Sequence, residues 1–159
     1  MRRAMVLLAA GVLGAAAFAG CSSSTKTATT SGGGGGVTVP TAATGTPVAV
    51  TAGDKTDTVQ FLTVEPASVK AGPVTFTLTN TGTKKHEMVV LKTDEAIDGL
   101  KVGADNKVSE DTTTGEVGET DIGKSGTVTI DLKPGKYILV CNLEKHYGQG
   151  MRVAFTVTG

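Results

Sequence analysis

Apolar and polar residues alternate with a period of two along much of the chain beyond residue 46. Val74-Thr75-Phe76-Thr77-Leu78-Thr79, Thr127-Val128-Thr129-Ile130-Asp131-Leu132 and Val153-Ala154-Phe155-Thr156-Val157 each send every second side chain to one face. That is the pattern of half-buried strands in an antiparallel sheet. Shorter apolar runs predict further strands at 47–51, 58–64, 87–92 and 136–142. Turn chemistry separates them at Ala71-Gly72-Pro73, Asn80-Thr81-Gly82 and Lys133-Pro134-Gly135. About seven or eight short strands with turns between them predict an all-β, two-sheet Greek-key β-sandwich. Slightly over one hundred residues, 46–159, suffice for one domain with a single core.

Residues 93–125 break the rhythm. A helical turn or two is predicted over Thr93–Leu100, followed by a polar, glycine-spaced segment. Between Lys101 and Asp121 the carboxylates Asp105, Glu110, Asp111, Glu116, Glu119 and Asp121 face only Lys101 and Lys107. Such a segment is expected to be a solvated excursion, with an acidic docking face as the other reading.

The N-terminal region follows other rules. Arg2 and Arg3 precede an alanine-rich apolar run, Ala4 to Ala19, which reads as an export signal over residues 1–20. Phe18-Ala19-Gly20-Cys21 resembles a bacterial lipobox, with Phe18 in place of the usual aliphatic residue, and so predicts lipidation of Cys21. Cleavage after Ala17-Phe18-Ala19 is the alternative, and it would release a soluble secreted or periplasmic protein. Residues 21–45 are rich in Ser, Thr and Gly, with five consecutive glycines from Gly32 to Gly36. A flexible chain of this length spans on the order of 25–30 Å and is expected to tether the domain to the extracytoplasmic face of a membrane.

Charge narrows the functional classes. The chain has 15 basic and 15 acidic residues, and loss of Arg2 and Arg3 with the signal leaves it weakly acidic. No basic footprint for nucleic acid is present. Trp is absent and Phe and Tyr are few, which argues against an extended stacking platform.

The chemistry concentrates near the C-terminus. Cys141, His146 and Met151 are separated by four residues in each gap, and the other histidine, His86, heads the apolar run Met88-Val89-Val90-Leu91. A thiolate suits Cu(I), imidazoles suit Cu(II), and a weak axial thioether holds a geometry between the two preferences. Structural zinc makes no use of methionine. A thiolate-bridged binuclear site needs a second cysteine, and the only other one, Cys21, belongs to the signal region. A trinuclear cluster needs histidines beside the cysteine, whereas Val140 and Asn142 stand there. Met88, on the same strand face as His86, competes with Met151 for the axial position. A Cys21–Cys141 disulfide is the alternative use of the thiol.

These residues identify residues 58–159 as similar to the cupredoxins, the blue-copper proteins of the plastocyanin and azurin type. The resemblance implies one type 1 copper ion, with His86, Cys141 and His146 as trigonal ligands and Met151 as the axial one. It implies single-electron transfer without substrate turnover; a monomer with redox protein partners at the membrane is expected. By the same resemblance, electrons pass through a partly exposed His146, with Tyr147, Gly148 and Gly150 as a contact patch. Where many members carry Asn after the first histidine, this chain has Glu87. Lys84, Lys85 and Lys145, near the ligands in sequence, are expected to steer an acidic partner. Extracytoplasmic copper storage or delivery is the competing function.

Overall fold

The computed structural model describes residues 45–159; the predicted signal, Cys21 and nearly all of the predicted tether lie outside the described residues. Among the described residues nine strands are formed: β1 (Thr46–Thr56), β2 (Val59–Glu65), β3 (Ser68–Lys70), β4 (Gly72–Asn80), β5 (His86–Lys92), β6 (Thr113–Thr120), β7 (Ser125–Leu132), β8 (Gly135–Val140) and β9 (Arg152–Thr158). They make a four-stranded sheet, β2-β1-β4-β7, and a five-stranded sheet, β3-β9-β8-β5-β6. The all-β sandwich expected from the alternation is the observed architecture.

The faces follow directly from the period of two. In β1, Val48, Val50 and Ala52 point inward, and in β4, Val74, Phe76 and Leu78 do so. They meet Val90, Tyr137, Leu139, Phe155 and Val157 from the other sheet in the main core. Phe76 and Phe155 join the sheets edge to face, with centroids 5.3 Å apart and planes at 65°.

Three features depart from the sequence expectation. Pairing is not wholly antiparallel, because β1 runs parallel to β4 and β3 parallel to β9. Strands β3 and β6 were not expected, the latter falling inside the segment read as an excursion. β6 is an edge strand in which only Val117 and Thr120 are buried, so it lacks the alternation that marks the inner strands. Nor does Thr93–Leu100 form a helix; it runs through bends and turns.

Residues 93–112 are not simply solvated. Leu100 and Val108 pack on Val89, Leu91, Ile138, Val140 and Tyr147, covering the outer face of β5 and β8. This explains the unbroken apolar run Met88-Val89-Val90-Leu91, since both faces of β5 are buried.

Replacing Phe76 by Ala removes the edge-to-face contact and leaves a cavity between the sheets. A loss of about 3–5 kcal/mol is expected, whereas Thr77→Ala on the opposite face of β4 should cost far less. Guanidinium denaturation of the two variants checks this; equal midpoints would contradict the assignment of faces.

Candidate metal centre

The ladder of the five-stranded sheet brings the candidate ligands together. β8 is paired antiparallel with β5 on one side and with β9 on the other. The first residue of β5, the residue after β8 and the residue before β9 therefore reach the same end of the sandwich. These are His86, Cys141 and Met151. The Cys141 N–H donates to the Met151 carbonyl at 3.1 Å, continuing the β8–β9 ladder one step past both strands.

His146 comes from the intervening loop, which is wound tightly by its own backbone. The His146 N–H donates to Leu143 O at 3.0 Å, and the Met151 N–H donates to His146 O at 3.1 Å. Lys145 (φ 72°) and Gly150 (φ 112°) take left-handed conformations. Glycine is required at 150 for a second reason: a Cβ there would lie 2.7 Å from the carbonyl oxygen of Gln60. The adjoining Gln149 carbonyl accepts the Gln60 N–H at 2.9 Å, fastening the loop to β2 of the other sheet.

The donor atoms converge. Cys141 Sγ lies 3.3 Å from His146 Nδ1 and 4.0 Å from His86 Nδ1, and the imidazole centroids are 5.2 Å apart. One atom from each of these three residues falls within 4.8 Å of the other two. A metal about 2.3 Å from sulfur and about 2.0 Å from nitrogen, with ligands at trigonal angles, needs an S···N separation of about 3.7 Å. The two observed separations lie on either side of that value, so the cluster fits one ion of that size. Met151 and Met88 are both fully buried in the adjoining core.

Charge is managed to favour neutral imidazoles. Burial pushes His86 below its ordinary value, although Asp54 opposes the shift. His146 is also lowered, first by burial and then by the neighbouring His86. Burial pushes the Cys141 thiol up to about 11, against hydrogen bonds from the Glu87 and Leu143 backbone N–H groups. The Glu87 N–H reaches the sulfur at 3.4 Å. That donor faces the sulfur already and would stabilise it as a thiolate.

The supporting residues were largely unforeseen. His86 Nε2 lies 3.0 Å from Asp54 Oδ1, and both side chains are buried, at 0% and 5% exposure. Asn80, also fully buried, donates from Nδ2 to Lys84 O (2.7 Å) and Thr120 O (2.9 Å) and accepts the Gly82 N–H at 2.9 Å, shaping the loop that leads to His86. Asn142 accepts the Val108 N–H at 2.8 Å and donates to Val108 O and to Glu110 Oε1, tying the segment after the cysteine to residues 108–110. Glu87, beside this tie in the chain, is half-buried, and burial pushes its carboxyl above the ordinary value.

Two expectations about the surface are corrected. Tyr147 is not part of a contact patch: it is 4% exposed, its hydroxyl donates to Ile97 O at 3.0 Å and accepts the Leu100 N–H at 3.3 Å. The lysines do not form a free positive ring either. Lys84 lies 3.6 Å from Asp57, Lys85 3.5 and 3.4 Å from Glu119 and Asp121, and Lys145 3.0 Å from Glu144. Each of the three is thus paired with at least one local carboxylate.

The metal-free protein should be most stable near neutral pH. Both histidines are lowered in the fold, so the unfolded chain binds more protons and stability falls as pH drops below about 6.5. Cys141 is raised from 9.0 to about 11, so the fold holds its proton longer and stability falls as pH rises through that interval. The alkaline loss corresponds to about 2–3 kcal/mol. Denaturation midpoints from pH 5 to 11 check the profile; stability that is flat from pH 8.5 to 11 would contradict it.

Residues 47–158 match the family model described as copper binding proteins, plastocyanin/azurin family. No curated protein sequence matches the chain. Solved structures of similar fold include a dithionite-reduced auracyanin from Roseiflexus castenholzii, 22% identical, covering 72% of this chain and 98% of its own, with a TM-score of 0.54. Auracyanin B is 21% identical over 72% of this chain and 89% of its own, with a TM-score of 0.52. Rusticyanin from Thiobacillus ferrooxidans is 19% identical over 72% and 79%, with a TM-score of 0.54. With this match across most of its length, and a buried two-histidine, one-cysteine cluster at the end of a β-sandwich, the chain belongs to the plastocyanin/azurin family of copper-binding proteins, and its cofactor is one type 1 copper ion.

Proposed function

We propose that this protein carries single electrons on a copper ion held by His86, Cys141 and His146, with Met151 as the axial ligand. The observation that carries the reading is the convergence of a buried thiol and two imidazoles on donor separations of 3.3 and 4.0 Å. When bound, the ion supplies a one-electron Cu(II)/Cu(I) couple tuned by its thiolate and axial donor. The chain's part is to hold the donors still. Cys141 and Met151 are coupled through the β8–β9 ladder, and His146 is coupled to Met151 through the loop backbone. Such a frame resists rearrangement as the charge changes.

Backbone position favours Met151 over Met88. Met151 is hydrogen-bonded through its own main chain to both Cys141 and His146. Met88 is two residues further along β5 than His86, about 7 Å deeper into the core, opposite Val117. His146 is half-buried where His86 is fully enclosed, so it is the ligand through which electrons would enter and leave. We further infer that the protein works outside the cytoplasm, anchored through a lipid on Cys21, and exchanges electrons with protein partners there. The export-signal pattern and the lipobox-like Phe18-Ala19-Gly20-Cys21 support this part of the reading.

Adding Cu(II) to the purified protein is expected to give an intense blue absorption that ascorbate bleaches and oxidation restores, with copper retained against a chelator through several cycles. Cys141→Ser should abolish the colour. A pale complex, or ready loss of Cu(I) to the chelator, would favour storage or delivery instead. Met151→Leu should change the reduction potential while Met88→Leu leaves it near the original; the reverse result would exchange their roles.

A further inference from the structure

Asp54 is a half-buried residue of β1 whose side chain is only 5% exposed. Val48, Val50 and Ala52 occupy the preceding inward positions, and Asp54 continues the series into the metal-bearing end. Its two oxygens have separate tasks. Oδ2 accepts the Thr83 backbone N–H and the Thr83 hydroxyl, the latter at 2.8 Å. Oδ1 stands 3.0 Å from His86 Nε2, the ring nitrogen that faces away from Cys141.

The surrounding backbone is shaped around this pair. A Cβ on Gly82 would lie 2.7 Å from Asp54 Oδ2 and 2.9 Å from His86 Nε2, so a side chain there would wedge the two groups apart. Thr81 holds the same loop to β1, its N–H and hydroxyl donating to Ala52 O at 2.9 and 3.0 Å. Its oxygens thus face an N–H, a hydroxyl and a ring nitrogen, the surroundings of a carboxylate that accepts hydrogen bonds.

We propose that Asp54 is the positioning residue for His86: it accepts a hydrogen bond from Nε2–H, leaves the Nδ1 lone pair aimed at the metal position, and places a negative charge beside the ring that favours Cu(II) over Cu(I). A ligating imidazole whose other nitrogen donates to a carboxylate is held in one tautomer and becomes a stronger donor. The more highly charged oxidation state gains more from both effects, so the carboxylate lowers the reduction potential. This inference rests on His86 being a copper ligand.

Asp54→Asn removes the charge while keeping one oxygen able to accept from Nε2. Loss of such a supporting partner changes metal affinity by about 10–100-fold. The preference for Cu(II) over Cu(I) is expected to fall at least tenfold, a rise of about 59 mV or more for a one-electron couple, with the blue absorption kept. An unchanged potential together with a lowered melting temperature would overturn the proposal and leave Asp54 a purely structural clamp for residues 81–84. Should the variant fail to fold, nitrogen-15 NMR of the metal-free native protein at pH 8 decides. His86 is expected to carry its proton on Nε2, and a ring protonated on Nδ1 would overturn the proposal. A native protein that binds copper without blue colour would instead defeat the ligand assignment itself.

Discussion

The hydrogen-bond ladder joining β5, β8 and β9 is the constraint on which the metal centre depends. Because β8 is antiparallel to both neighbours, the start of one strand, the end of the second and the start of the third lie level at one end of the sheet. No ligand needs a long connection to reach the others. The ladder also explains the spacing between Cys141 and Met151: a single loop joins two hydrogen-bonded neighbours, with room for one more donor, His146, at its middle. The opposing sheet then locks this arrangement, β1 through Asp54 and β2 through the backbone of Gln60.

Much of this was legible in the chain because the relevant signals are local. Perfect alternation in Val74–Thr79 and Thr127–Leu132 marks strands with one buried and one open face, and those strands are present as read. The cluster of His86, Cys141 and His146 was legible because soft and borderline donors are scarce in this sequence and fall at strand ends or in the short loop between two strands. What escaped depends on contacts distant in sequence. β6 is polar because it is an edge, and β3 is only three residues long. Tyr147 reads as a loop aromatic beside a ligand until Ile97 and Leu100 close over its hydroxyl. Asp54 did leave a trace, as a carboxylate continuing the inward series Val48, Val50, Ala52, but it lies beyond the strand read at 47–51 and its partners, Thr83 and His86, are distant in sequence.

The segment 93–112 shows how a polar sequence can still have a packing role. Its few apolar members, Leu100 and Val108, cover the outer face of β5 and β8, while Asn142 fastens residues 108–110 to the chain just after the cysteine. The strand that carries His86 and the strand that leads to Cys141 are thus buried on both faces. A buried, doubly covered frame excludes water and keeps the donors in place, and this suits a centre whose ligands should move little when one electron is added or removed. The second-sheet carboxylate adds an electrostatic adjustment to a geometry that the ladder sets.

X-ray absorption at the copper edge, recorded on one sample before and after reduction, tests this account most directly. One sulfur and two imidazole nitrogens are expected around copper in both oxidation states, with closely similar distances. Loss of the sulfur neighbour, or a different set of neighbours in the reduced protein, would contradict it.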